Sequence, residues 1–235
     1  MADTKALVRE FADIFASPER AIGKTDLIEM VIKLVPDAKP KKAACRPLNP
    51  DQRADLKKQL QLWIDEDIAE ESESPWASAM VPVKKKGGAT RWAVDYRTLN
   101  AVTIKDAYPL PNIQENLDRM QGSKIFSTLD AAGAYHTVPV AEKSRPLLAF
   151  TTPFGLFHFK RMPFGPANSG QVYSRFMQML VDKLRSPYVV CYVDDVILAT
   201  PDIQTHMKEL RNLFQMHRDA GICVTAKKTF LLQSE

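Results

Sequence analysis

The stretch Val189-Val190-Cys191-Tyr192-Val193-Asp194-Asp195-Val196-Ile197-Leu198 constrains this chain more than any other. Two adjacent carboxylates interrupt an apolar run, so residues Tyr188 to Thr200 read as two strands broken at Asp194-Asp195. A polar hairpin turn satisfies that pattern, since Asp is a common turn residue. The charges add a constraint. Neighbouring carboxylates repel, and apolar strands on either side desolvate them, so a compensating cation is favoured. Oxygen-only ligands select Mg²⁺ or Mn²⁺ over zinc or copper. A third carboxylate, Asp130, ends another apolar strand read over Ser123 to Leu129. If the two strand ends lie side by side, the carboxylates converge. Two cations roughly 3.5–4 Å apart then clamp the attacking and leaving oxygens of a phosphoryl transfer.

The elements around these strands give the fold class. Ala167 to Leu184 reads as a helix, and so does Gln204 to Ala220, with Met207, Leu210, Leu213 and Phe214 inward and Gly221 closing it. The order strand, helix, strand-turn-strand, helix predicts an α+β, split βαβ arrangement, an antiparallel sheet with helices on one face. Upstream, Leu7 to Phe15 reads as a short amphipathic helix, Ile28 to Val35 as a short strand or helix, and Pro36 to Lys42 as a connector. Asn49-Pro50-Asp51-Gln52 is a helix start with a capping box; Leu56, Leu60, Ile64 and Ile68 extend it through Glu71. The acids Asp65, Glu66, Asp67, Glu70 and Glu71 read as its solvated face. Strands over Ala79 to Val83 and Thr90 to Tyr96 are joined by the hairpin loop Lys84 to Ala89.

With 235 residues, 45% of them hydrophobic, the chain can bury a core as one large domain or two packed subdomains. Its net charge of +4 is matched by Lys84 to Arg97 alone, where five bases (Lys84, Lys85, Lys86, Arg91, Arg97) face the single acid Asp95. Cys45, Cys191 and Cys223 are too few and scattered for a disulfide scaffold or a zinc site. The N-terminus has no apolar signal segment and the longest apolar runs are too short to span a bilayer, so a soluble, intracellular protein without membrane partners is expected. Spacing and charge reach a metal-dependent phosphoryl-transfer site with a basic hairpin, and do not name the polymer.

A resemblance does. Read in order, SPWAS (Ser74 to Ser78), VPVKKKGG (Val81 to Gly88), RWAVDYRTLN (Arg91 to Asn100), DAYPLPNI (Asp106 to Ile113), FSTLDAAGAY (Phe126 to Tyr135), AFTTPFGLFHFKRMPFG (Ala149 to Gly165), YVDD (Tyr192 to Asp195) and AGICVTAKK (Ala220 to Lys228) resemble the reverse transcriptase of gypsy-type long-terminal-repeat retrotransposons, and more distantly that of retroviruses. The set covers roughly residues 45–230 in the family's order and spacing.

The resemblance implies a polymerase palm with a fingers subdomain: 1–44 a protease–polymerase connector, 45–105 and 138–168 fingers, 106–137 and 169–235 palm. It implies an RNA-directed DNA polymerase that uses dNTPs, an RNA or DNA template with primer, and two Mg²⁺ ions, with Mn²⁺ as a substitute. The alternative is a weak or inactive nucleic-acid-binding module that keeps the palm. Asp130, Asp194, Asp195 and the Ala131 carbonyl would hold the metals. Lys85 and Arg91 would grip the triphosphate, and Phe164 and Gly165 would line the nucleotide pocket. Tyr135, five residues after Asp130, would exclude a 2′-hydroxyl; core packing is its other reading. Lys228 would protonate the leaving pyrophosphate. Trp76, Lys84, Lys86, Arg97 and Tyr192 are the candidates for nucleic-acid contact; Trp92 shares with Trp76 the choice between stacking and buried packing.

The chain departs from the family at Gly170, where a Pro is usual, at Ala131-Ala132, and at Thr229, where a Cys is frequent. The expectation is also that it stops before the primer-grip hairpin and thumb, with RNase H and integrase elsewhere in a parent polyprotein. The setting would be a cytoplasmic particle with possible access to the nucleus.

Overall fold

The computed structural model describes all residues except 1, 19, 85–87, 89, 110, 111 and 235, and omits the side chains of 2 and 3. Its elements in chain order are helix α1 (Ala2–Glu10), α2 (Pro50–Asp65), strands β1 (Ala69–Glu71), β2 (Ser78–Lys84) and β3 (Thr90–Asp95), helices α3 (Arg97–Val102) and α4 (Ile113–Arg119), β4 (Ile125–Asp130), β5 (Ala149–Thr152), β6 (Gly155–Phe159), α5 (Ser169–Leu184), β7 (Val189–Tyr192), β8 (Asp195–Thr200), α6 (Ile203–Asp219) and β9 (Phe230–Ser234). This mixed α+β chain divides into two compact units. The first comprises Met1–Ile28, Ala107–Thr137 and Gly170–Glu235; the second comprises Glu29–Asp106 and Val138–Ser169.

The first unit is built on an antiparallel sheet of order β7-β8-β4-β9. β8 lies between β4 and β7 and opposes both, so β4 and β7 run the same way. Leu129, Val189, Val196 and Leu198 share one face of the sheet and are all buried, as is Val190 on the other. Helix α6 buries Leu210, Leu213 and Phe214 and ends at Gly221, whose φ of +68° suits a residue without Cβ; Met207 is only half-buried.

A directed chain of hydrogen bonds pins α6 to the sheet. Ser127 Oγ accepts from the Leu232 N–H at 3.0 Å and is hydrogen-bonded to His206 Nε2 at 2.7 Å. The Thr200 hydroxyl donates to the Asp202 carbonyl at 3.3 Å, so Thr200 Oγ1 accepts from His206 Nδ1–H at 2.7 Å and Nε2 is left to accept from Ser127. The same Leu232 contact accompanies a break in the β4–β9 register between Phe126 and Thr128.

The second unit holds a sheet of order β1-β6-β5-β2-β3, antiparallel except for β2 beside β5. Trp63 of α2 packs edge-on against Phe150 and Phe159 at 6.1 and 5.2 Å between centroids. The capping box at Asn49 is present in both directions, with Asn49 Oδ1 accepting from Gln52 N at 2.8 Å and Gln52 Oε1 from Asn49 N at 3.1 Å. Asn49→Ala should therefore cost about 1 kcal/mol, read as a lower urea midpoint with an unchanged slope; an unchanged midpoint would show the cap to be idle.

Several expectations change. Helix α2 stops at Asp65 rather than Glu71, because Asp67 turns the chain at φ +57° and Ala69–Glu71 pairs with β6 instead. Its buried face is Leu56, Leu60 and Trp63, while Ile64 is exposed. The acids beyond it are not simply solvated: Asp67 and Glu70 pair with Lys160, and Glu70 with His158 at 2.9 Å. Ile28 to Val35 forms neither strand nor helix; Met30 and Leu34 make isolated bridges to Val140 and Thr103. The N-terminal helix begins at Ala2 and is over by Glu10, with Phe11 and Phe15 turned onto Phe214 at 5.6 and 5.9 Å. Of the stretch 1–44, the residues through Ile28 fall in the first unit and the rest in the second.

Candidate active site

The β4–β8 register sets Asp130 directly opposite Asp195, at the end of the sheet where β7 turns into β8. Directly opposed residues in an antiparallel pair lie about 5 Å apart, so the register alone brings these carboxylates together. The turn is two residues long, Val193 and Asp194, because Tyr192 pairs with Asp195. Val193 sits at φ +57°, a costly conformation for a β-branched side chain. The geometry of the turn thus overrides the preference of its residue, and it presents Asp194 beside Asp195 in solvent.

The electrostatics are those of crowded anions. The Asp195 carboxyl is pushed above the usual carboxylate range by partial burial and by the charges of Asp194 and Asp130, against an opposing pull from Lys228. Lys228 Nζ lies 3.2 Å from Asp130 Oδ1. Cys191, behind the turn, is buried and its thiol is pushed up to about 12, so it is inert as a nucleophile. The donor chemistry fits a hard divalent cation: three carboxylates with oxygen donors only, and an ammonium already on one of them. Among the described residues no three His, Cys, Asp or Glu side chains enclose an ion as they stand.

Tyr135 lies in the turn Ala134–Thr137 and stacks on Tyr173 of α5, with centroids 5.4 Å apart and planes at 23°. Burial and the nearby Asp194 charge raise its phenol above the ordinary range. The Tyr173 hydroxyl is buried with no hydrogen-bond partner among the described residues. A Cβ on Gly170 would meet the Tyr135 hydroxyl at 3.8 Å, an ordinary contact, so space does not explain the glycine there.

In the second unit Arg91, Phe164 and Gly165 come together. The Arg91 guanidinium lies over the Phe164 ring at 4.5 Å, and Phe164 is exposed. Gly165, at φ +104°, is held by Asn100, whose amide donates to the Gly165 carbonyl and accepts from Ala167 N–H, both at 2.9 Å. Asn100 and Tyr173 were not singled out by the sequence, although Asn100 closes the motif RWAVDYRTLN. Arg97 is exposed but forks onto Asp95 at 2.8 and 2.7 Å, which holds that carboxyl at about 2. Lys84 and Tyr192 are exposed; Lys85 and Lys86 lie outside the described residues. Trp76 offers no ring face for stacking, since it is only 7% exposed, and Trp92 is as buried with its indole N–H on Asp55 at 2.8 Å.

The fold is a mixed α+β one with two opposed carboxylates at the end of an antiparallel sheet, and the comparisons say which family carries it. The model of the family "Reverse transcriptase (RNA-dependent DNA polymerase)" matches residues 83–235. The chain is 28% identical over 236 residues to the retrovirus-related Pol polyprotein from transposon 297 of Drosophila melanogaster, covering 98% of this chain and 22% of that one. It is 30% identical over 189 residues to the transposon Tf2-3 polyprotein of Schizosaccharomyces pombe, covering 80% and 14%. Among solved structures it is similar to the foamy viral protease–reverse transcriptase in complex with an RNA/DNA hybrid, with a TM-score of 0.86 and 22% identity over 97% of this chain and 30% of that one. The chain therefore belongs to the reverse transcriptase family. Its relatives are retrotransposon Pol polyproteins, of which it spans about a fifth or less. No helix among the described residues is long and apolar enough to cross a membrane.

Proposed function

We propose that this chain is the palm and fingers of an RNA-directed DNA polymerase, adding dNTPs to a primer 3′-hydroxyl on an RNA or DNA template. The first unit is the palm and the second the fingers. One observation carries the reading: Asp130 faces Asp195 across two neighbouring strands, beside Asp194, in a chain of this family.

Asp130, Asp194, Asp195 and the Ala131 carbonyl would hold two Mg²⁺ ions. Bound there, divalent ions supply charge neutralisation and an acidified primer hydroxyl. The remaining work belongs to side chains. Arg91, stiffened by the Phe164 ring, offers a planar fork to phosphate oxygens. Lys85 joins it on the triphosphate. Tyr135, backed by Tyr173, blocks a ribose 2′-hydroxyl. Lys228, paired with Asp130, is placed to give a proton to the departing pyrophosphate. The parent would be a polyprotein working in a cytoplasmic particle.

Primer extension on an RNA template tests this. The chain should add dNTPs in preference to rNTPs and require Mg²⁺ or Mn²⁺. Binding of template–primer without any extension, in this chain and in the longest polyprotein product that contains it, would leave a binding module instead.

A further inference from the structure

Residues 14–25 lie in the stretch that reads as a connector, yet they are built against the loop that carries Ala131 and Tyr135. Val224 is the middle rung of a short ladder. On one side Ala16 N–H donates to the Val224 carbonyl at 2.9 Å and Val224 N–H to the Ile14 carbonyl at 2.8 Å. On the other, Ala132 N–H donates to Cys223 O and Thr225 N–H to Asp130 O, both at 2.8 Å. Ile222, Cys223 and Val224 are fully buried between the two.

Two more contacts reach the same loop directly. Thr25 N–H donates to the Thr137 carbonyl at 3.0 Å. Gly133 turns the loop at φ +60°, and a Cβ there would lie 2.4 Å from Ile22 Cγ2, so the Ile22 side chain occupies the space beneath it. The approach is just as close at Gly23, where a Cβ would lie 2.3 Å from the Gly221 carbonyl oxygen. The segment thus holds the loop directly at its turn and its end, and at its start through the intervening residues 222–224, from more than a hundred residues away in sequence.

We infer that Ile14–Thr25 is a positioning element of the active centre, with Ile22 as its key side chain, fixing the Ala131 carbonyl and the Tyr135 ring through the loop between Ala131 and Thr137. A main-chain carbonyl has no rotamer of its own, so its aim depends wholly on how its backbone is held. A displacement of about 1 Å in such a group costs on the order of 10²-fold in rate. What the loop does there rests on the polymerase reading; how it is held does not.

The test compares the full chain with Ile22→Ala and Ile22→Val, by amide hydrogen exchange and by primer extension. Ile22→Ala should speed exchange of the amides of 132–137 by about 10-fold or more while those of α6 and β8 stay protected. Val keeps the branch that meets Gly133 and should restore the wild-type rates. In extension, Ile22→Ala should raise the dNTP KM and the share of rNTP incorporated, and Val should return both. Unchanged exchange in 132–137 overturns the inference. So does a loss of protection spread evenly over the first unit, with activity falling only as the folded fraction falls. Should Ile22→Ala not fold, Ile22→Leu, which lacks the β-branch, replaces it with the same two outcomes. A wild type that adds no dNTP defeats the polymerase reading alone, and the exchange result still decides this one.

Discussion

Asp195→Asn is expected to reduce nucleotide addition by roughly 10³-fold, about 4 kcal/mol in the barrier, while raising the melting temperature of the same chain. Both effects come from one cause. Partial burial, together with like charges from Asp194 and Asp130, pushes the pKa of the Asp195 carboxyl upward. An amide of the same shape removes that repulsion and also removes a charged oxygen ligand, which a neutral carbonyl replaces poorly for a hard cation. Opposite shifts in activity and stability are characteristic of groups retained for chemistry. Extension by Asp195→Asn within tenfold of wild type would remove Asp195 from the catalytic set; a lower melting temperature would show that the carboxylate is structural.

The second large effect is with pH. His217 is fully buried, with Nδ1–H on the Leu213 carbonyl at 2.8 Å, and burial depresses its pKa from 6.5 to about 4. Burial depresses His206 as well. A depressed histidine is neutral when folded, so between about 4 and 6.5 the unfolded chain binds the extra proton. The stability it contributes is complete above 6.5 and is lost progressively as pH falls to about 4. For His217 alone that span is worth about 3 kcal/mol at ~1.4 kcal/mol per pH unit. Urea unfolding at pH 7 and pH 4.5 should differ by about that much, and His217→Leu should flatten the difference. Asp195 titrates in the opposite sense, but it is exposed to water and offsets little. Equal stability at the two pH values would mean that His217 is charged in its pocket.

The features legible in the sequence were those with strong local rules. The β7–β8 hairpin announced itself by two carboxylates in an apolar run, and α2 by a capping box found in both directions. Local rules failed where distant partners decide. Ala69–Glu71 continues a helical pattern, yet it becomes a strand because β6 is there to pair with it. Helices α3 and α4 are six and seven residues long, too short for a periodic signal. In the site, Asp130 and the pair Asp194-Asp195 each stand out in the sequence as carboxylates at the end of an apolar strand, and the β4–β8 register supplies the condition that brings them together. The support of Gly165 by Asn100, 65 residues away, and of Tyr135 by Tyr173 does not stand out, since nothing local to either pair encodes it.

The ladder at Val224 also sets an order of events during synthesis. Its bridge from Phe15 joins residues about two hundred positions apart, and β4 finds β8 only about seventy residues after it is made. At ~5–20 residues per second the N-terminal segment waits about 10–40 s for its partner to leave the ribosome. The second unit, whose last residue is Ser169, is complete before α6 exists. The carboxylates therefore meet only after the second unit has been translated, so a nascent chain that stalls between Ser169 and Asp195 carries all of the second unit and no active centre.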